Sequence, residues 1–310
     1  MEEKSIKVSI IGAGGCGGNI IADVYKDLKE FGLPVEFCAL NTDVQALNSL
    51  KDGFPNVIQI GERSTGGLGA GSNPEVGKAA AQEDIEKIRN IINEKDLVII
   101  IAGLGGGTGS GLVPIILKET KERDILTLCW FVIPSDFEGS GRLKIARSVL
   151  KEMPEFVDSF VVISNDATES GIFKDAMIEI NNIISNGIQI VLEVLLRPSF
   201  INLDFADFRT VVKSGGKAVF SFGSFDGNNR SKNLTKEMLK FSLQTGISAK
   251  KVKKALIFVR GGSDMRKEEL KDVVENVRNH ISEDALIIMG ISLNENKQSL
   301  DGVLLGTYGE

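Results

Sequence analysis

The sequence predicts an α/β protein: a Rossmann-like parallel sheet with helices on both faces, a long central helix, and a smaller α+β C-terminal domain. Three observations carry this reading. Short runs rich in Val, Ile and Leu alternate with helical stretches through the first half, as in a sheet covered on both faces. A proline-free helical pattern then runs from about Asp175 to Leu196, and Pro198 stops it. Beyond it, strands and helices follow a different order. The expected divisions are 1–173, 174–198 and 199–310, and a length of 310 residues fits more than one domain.

The strands of the first half are read in order as Ile6–Ile11, Val35–Leu40, Val57–Ile60, Leu97–Ile101, Leu126–Val132 and Phe160–Ile163. Each is short, apolar and largely uninterrupted, the pattern of a strand buried on both faces. Among the helices, Glu75–Asn93 is the clearest. Ser72 or Asn73 can cap it, and Pro74 fits its first turn. In the C-terminal third, Ala218–Phe222, Ala255–Arg260, Ala285–Ile291 and Gly302–Tyr308 read as strands. Thr235–Leu243 and Lys267–His280 read as helices.

Composition narrows the chemistry. The chain has one histidine, His280, so neither a multi-histidine metal site nor a histidine-dependent nucleophile triad is expected. The net charge of −6 disfavours nucleic acid and anionic membranes as partners. The longest apolar run, Leu97–Ala102, is too short to cross a bilayer, and Met1–Ser5 is polar. Cys16, Cys38 and Cys129 are widely spaced and suggest reduced thiols in a cytoplasmic protein.

The 34 glycines are clustered, and the clusters carry most of the chemistry. Gly12-Ala-Gly-Gly-Cys-Gly-Gly18 follows the first strand and precedes a helix. Its Gly12-x-Gly14-x-x-Gly17 spacing lets backbone amides approach phosphate at a helix N-terminus. Alone, such a match is weak evidence, and its alternative is a tight strand-to-helix turn. Gly103-Leu-Gly-Gly-Gly-Thr-Gly-Ser-Gly111 repeats the strand–loop–helix arrangement, and Thr108 and Ser110 add hydroxyl donors. Two such loops at neighbouring strand ends can wrap one polyphosphate from two sides. A third, Gly66-Gly-Leu-Gly-Ala-Gly-Ser-Asn-Pro74, precedes the helix from Glu75. Its Gly71–Lys78 stretch is not a P-loop, because five residues separate the glycines and Ala79 follows the lysine. The inference is a nucleoside triphosphate held mainly by backbone amides, with Mg²⁺ held largely through phosphates and water.

This combination resembles the tubulin/FtsZ superfamily. Gly105-Gly-Gly-Thr-Gly-Ser-Gly111 matches its signature loop. Gly14–Asn19, Asn41-Thr42-Asp43 and Gly67–Pro74 match its other phosphate-side loops in the right order. Pro134–Arg142 resembles its sugar-binding segment, and Asn165-Asp166 the loop after it. Asn-Thr-Asp, Phe-Glu-Gly and Asn-Leu-Asp-Phe-Ala-Asp are more similar to the bacterial and archaeal FtsZ branch than to eukaryotic tubulin.

The resemblance implies GTP and GDP as ligands. It places Gly14, Gly15, Cys16, Asn41, Asp43, Gly69, Ala70, Gly71, Asn73 and Gly105, Gly106, Gly107, Thr108 and Gly109 around the phosphates. It puts Pro134, Glu138 and Arg142 near ribose and phosphate, and Asn19, Asn165 and Asn181 near guanine. Met177 aligns with the base-stacking position, usually Phe, and Asn181 with the guanine-reading Asp.

Asn202-Leu-Asp204-Phe-Ala-Asp207 follows the long helix. By itself it reads as a solvated turn or helix cap. The resemblance instead makes Asn202, Asp204 and Asp207 a catalytic loop that enters the nucleotide site of the next subunit, although Ser199 stands where the family has glycine. It thus implies a GTPase that polymerises head-to-tail in cell division. The expected partner is another copy of the chain. No linker or tether-docking peptide follows Tyr308, so division tethers stay open as partners. Two other readings remain. One is a divergent nucleotide-binding scaffold outside division. The other is a nicotinamide-dependent dehydrogenase, which rests on the first loop alone and leaves the second unexplained.

Overall fold

The structure, a computed structural model, describes residues 6–29, 32, 34–50, 53–166, 173–196, 203–240, 248–295 and 298–309. The chain divides into two compact units, 1–185 and 186–310.

The first unit contains β1 (Val8–Ala13), α1 (Gly14–Leu28), β2 (Val35–Asn41), α2 (Val44–Leu50), β3 (Val57–Gln59), α3 (Glu62–Thr65), α4 (Pro74–Glu83) and α5 (Ile85–Ile92). It continues with β4 (Leu97–Gly103), α6 (Thr108–Glu122), β5 (Leu126–Ile133), α7 (Ser140–Glu152), β6 (Ser159–Ser164) and the first half of α8 (Phe173–Leu196). Its strands are parallel in the order β3-β2-β1-β4-β5-β6. All six residues of β1 are buried, as are the first six of β4. Sequences apolar on both faces require helices on both sides of the sheet, and they have them. The strand order reverses between β1 and β4, where a doubly wound sheet opens a crevice at its carboxyl edge. Ala13 and Ala102 are register partners there, so the two glycine loops leave the sheet side by side.

The second unit holds the remainder of α8, then α9 (Phe205–Val212), β7 (Gly216–Phe225), α10 (Arg230–Met238), β8 (Lys254–Gly261), α11 (Lys267–His280), β9 (Leu286–Leu293) and β10 (Leu300–Thr307). Its strand order is β7-β10-β8-β9. β10 runs antiparallel to β7 and β8, while β8 and β9 are parallel across α11. Val219, Leu234, Ile257, Val273 and Leu304 form its core. Inside it, Arg260 donates to Glu193 at 2.8 and 3.0 Å and to Asp301 at 2.8 and 3.0 Å.

Two helices differ from the sequence reading. The stretch read as Glu75–Asn93 is two helices, broken at Asp84 (φ −111°, ψ 31°). The Asp84 carboxylate accepts from the Gly61 amide at 2.7 Å and pairs with Lys87 at 2.9 Å. Where Thr235–Leu243 reads as a helix, α10 spans Arg230–Met238 and so starts five residues earlier, while 241–243 lie outside the described residues. Its first residue, Arg230, is buried against Glu269 and Asp264, a long-range pairing that local periodicity does not display.

Candidate functional site

The loops after β1, β2, β4 and β5, together with the α3–α4 connection, meet at the carboxyl edge of the first unit's sheet. Their contacts are backbone to backbone, which explains the glycines. Gly14 has φ +74°, and a Cβ there would lie 2.9 Å from the Gly109 amide. Gly107 presses on the third loop: a Cβ would lie 2.7 Å from the Asn73 amide and 2.8 Å from the Ala70 carbonyl oxygen. Gly105, at φ +98°, lies against Pro134 and the Arg142 carbonyl. Gly17 lets α1 pack on the Ile101 carbonyl of β4. Gly15 and Gly106 behave differently, since a Cβ on either would meet nothing within 4 Å. Glycines crowd the contacts between loops, and two more stand open at the surface those loops form. That arrangement fits phosphate oxygens approaching bare amides at the starts of α1 and α6.

The polar residues of the loops serve mainly to shape them. The Asn41 side-chain oxygen accepts from the Thr42 and Asp43 amides at 2.8 and 3.3 Å. Asp43 accepts from the Gln45 and Ala46 amides and so caps α2. Asn73, not Ser72, caps α4 by accepting from the Glu75 amide at 3.0 Å. Gly69 donates to the Thr42 carbonyl, tying the third glycine loop to the loop after β2. The Thr108 and Thr42 hydroxyls are 2.6 Å apart. Ser110 is turned inward: it is buried and accepts from the Gly105 amide at 2.9 Å. It therefore supports the loop, whereas the sequence suggested a ligand donor.

Cys16 is solvent-accessible as a residue, yet its sulfur lies against Gly103. Burial of the thiol, and secondarily the Glu138 charge, raise its pKa to about 11. It is a protonated loop residue at neutral pH.

After β5, residues 134–142 fold over a 3₁₀ turn at Asp136–Glu138 into α7. Glu138 is the hub. It accepts from Asn165 Nδ2 at 2.9 Å, from the Ser135 amide at 3.1 Å and from Arg142 at 3.1 Å. Burial pushes its carboxyl upward, but these hydrogen bonds, Asn165 first, outweigh burial and hold it below its ordinary value. Asn165 Oδ1 is buried with no partner among the described residues.

On α8, Asn181 donates to Asp23 of α1 at 3.0 Å, and one turn later Ser185 donates to Asp27 at 2.6 Å. Both pairs are separated by 158 residues, so the two helices run in parallel register. The next step toward their N-termini, at the same offset, is Asn19 and Met177. Asn19 is exposed and Met177 half-buried. The structure thus brings Asn19, Met177 and Asn181 to one helix pair that starts beside the first glycine loop. Sequence reasoning missed Asp23. Its spacing, four residues after Asn19 on the same helix face, was the available signal.

Asp204 and Asp207 belong to the second unit. Asp204 caps α9, accepting from the Asp207 amide at 2.7 Å, so the bland cap reading holds locally. Asp204 is exposed and Asp207 half-exposed. Asn202 and Ser199 lie outside the described residues. Among the described residues, no helix is long and apolar enough to cross a membrane.

Comparison with known families decides the assignment. A model described as "Tubulin/FtsZ family, GTPase domain" matches residues 7–171, and one described as "FtsZ family, C-terminal domain" matches residues 216–304. The chain belongs to the tubulin/FtsZ family.

Among its FtsZ relatives, cell division protein FtsZ of Aquifex aeolicus is 36% identical over 297 residues, covering 94% of this chain and 80% of the relative. That of Buchnera aphidicola subsp. Baizongia pistaciae is 34% identical, covering 98% and 80%. The structure of an empty FtsZ dimer from M. jannaschii superposes with a TM-score of 0.89 at 32% identity, over 99% of this chain and 89% of that one. CetZ2 from Haloferax volcanii, solved as a GTPγS-bound protofilament, shares the fold with a TM-score of 0.83 at 21% identity, over 98% and 94%. The expected fold class therefore stands: a GTPase domain of the tubulin/FtsZ family followed by an FtsZ-type C-terminal domain.

Proposed function

We propose that this chain is an FtsZ-type GTPase that binds GTP at its glycine loops, assembles head-to-tail into protofilaments and acts in cell division in the cytoplasm. The supporting observation is the meeting of the loops after β1 and β4 at the sheet's switch point, with Gly15 and Gly106 open beside them. In this reading residues 1–173 form the GTP-binding domain, 174–198 the connecting helix and 199–310 the activating domain. The loops offer amides and hydroxyls to the phosphates. Glu138 and Arg142 lie toward the ribose, while Asn19, Asn165, Met177 and Asn181 surround the base. Mg²⁺, held mainly through phosphate oxygens and water, supplies neutralisation of phosphate charge.

Hydrolysis is completed in trans. Asp204 and Asp207 of one subunit, with Asn202, orient water toward the γ-phosphate held by the next. Phosphoryl transfer depends on positioning and electrostatics, so a lone subunit is slow. A heterologous contact of this kind builds open filaments.

Steady-state GTP hydrolysis with Mg²⁺, measured over a range of chain concentrations, tests the proposal. The expected outcome is a threshold followed by a steep rise. Asp207→Ala is expected to lower turnover by about 10²–10⁴-fold. Mixing it with Gly107→Ala, whose Cβ would collide with the third loop, is expected to restore part of that loss. A rate proportional to concentration from zero, with no rescue on mixing, would sink the trans mechanism.

A further inference from the structure

An asparagine side chain has two unlike ends, and its neighbours decide which end faces a ligand. A carboxylate can only accept hydrogen bonds, so an amide beside it must present its NH₂ group. Asn181 is in that position: its Nδ2 donates to Asp23 Oδ2 at 3.0 Å. The other Asp23 oxygen accepts from Lys26 at 3.0 Å, which holds the carboxylate in place. With Nδ2 fixed on Asp23, Oδ1 of Asn181 is the end left for a ligand. The same device recurs at Asn165, whose Nδ2 is held by Glu138 while Oδ1 is buried and without a partner among the described residues. Two amides on separate elements are thus turned by carboxylates so that each offers a carbonyl oxygen. A ring that presents donors suits such an oxygen. Guanine does so along its N1–H and N2–H₂ edge, whereas adenine presents an acceptor at N1.

We propose that Asp23 is a base-specificity residue. By fixing the Asn181 amide, it makes position 181 a pure acceptor for the guanine N–H edge, which lets an asparagine serve where the family resemblance implies an aspartate. Asp23 acts through Asn181 and is a positioning residue. The proposal rests on the guanine-nucleotide reading above.

The test compares GDP and ADP binding by calorimetry, using the full chain, Asp23→Asn, and the exchange variant Asp23→Asn/Asn181→Asp, with melting temperatures as a check on folding. An amide at position 23 can offer either end to Asn181, so the single variant frees the Asn181 side chain to turn. The GDP-over-ADP preference is then expected to fall about tenfold, the effect of one well-placed hydrogen bond. The exchange variant is expected to recover it. There the amide on α1 donates to the carboxylate on α8, whose second oxygen accepts from the base. The readout is the ratio of affinities, since loss of a negative charge shifts both nucleotides alike. Asp23→Ser, smaller and neutral, serves the same comparison if Asp23→Asn does not fold. A folded single variant with an unchanged ratio overturns the proposal, as does an exchange variant that folds without recovery. Failure of the unaltered chain to bind GDP would overturn the nucleotide reading beneath it, while normal GDP binding with an indifferent Asp23→Asn overturns only this inference.

Discussion

Gly14 and Gly15 are adjacent in sequence, and the structure gives them opposite mutational consequences. Gly14 is held at φ +74° with the Gly109 amide against it, so Gly14→Ala costs at least the left-handed penalty of about 1–2 kcal/mol. Gly15 lies in the first turn of α1, where alanine is compatible and nothing blocks a methyl group. Gly15→Ala is therefore expected to stabilise the chain by about 0.4–1 kcal/mol while weakening nucleotide binding, because the methyl occupies the phosphate approach. Thermal unfolding with and without GDP separates the two effects. If Gly15→Ala binds as before, Gly15 does not face the phosphates. Glu138 gives a pH prediction at the same scale. Its carboxyl is held below the ordinary 4.5 in the folded state. Its contribution is thus present above the ordinary value and is lost as pH falls through the lowered folded value. GDP affinity is expected to be flat from neutral pH to about 5 and to fall below the ordinary carboxylate value, with Asn165→Ala moving the fall to higher pH.

At the scale of elements, the strands and the helices α8 and α11 were legible, while the α4–α5 break and the start of α10 were not. β1, β4 and β5 are buried on both faces, so continuous apolar runs identified them to within two residues. The α4–α5 break depends on Asp84 reaching Gly61 in a preceding loop, and apolar spacing runs through it without a mark. The start of α10 depends on Arg230 meeting Glu269 of α11. Pairings of buried charges are what a hydrophobic pattern does not display, and Arg260, inside a strand that the pattern did display, joins such a network. It sits in a strand between Glu193 of α8 and Asp301 of β10, all three side chains at most 9% exposed. Ser224 and Ser299 also donate to Asp301, and Gln189 donates to Glu193. Arg260→Ala would leave two carboxylates buried without their cation. The expected loss is about 3–5 kcal/mol, seen as a lower melting temperature, with Arg260→Lys intermediate because lysine cannot bridge both in bidentate fashion. An unchanged melting temperature for Arg260→Ala would show that the network relaxes to solvent.

At the scale of the whole molecule, the sequence displayed the parallel sheet, the glycine loops at its carboxyl edge and the family they resemble. It did not display how distant residues orient one another. The Asn181–Asp23 and Asn165–Glu138 pairs join residues 158 and 27 positions apart, and beyond the four-residue spacing of Asp23 from Asn19 one chain read alone carries no signal for such pairing. The roles of Asp204 and Asp207 were ambiguous for a related reason: an exposed helix cap and a carboxylate offered to a neighbouring subunit look the same within a single chain.

The paired steps between α1 and α8 also bear on how the gene can change length. Each step is spaced by one helical turn on both helices at once, so an inserted residue in either helix rotates every later position by about 100° and separates its partners. The intervening connections carry no such constraint. Random one-codon insertions selected for retained GDP binding are expected to accumulate in surface connections such as 93–94 and 123–124, and to be absent from 15–27 and 177–185. The two helices thus act as a pair of combs that evolution can recolour tooth by tooth but cannot slide.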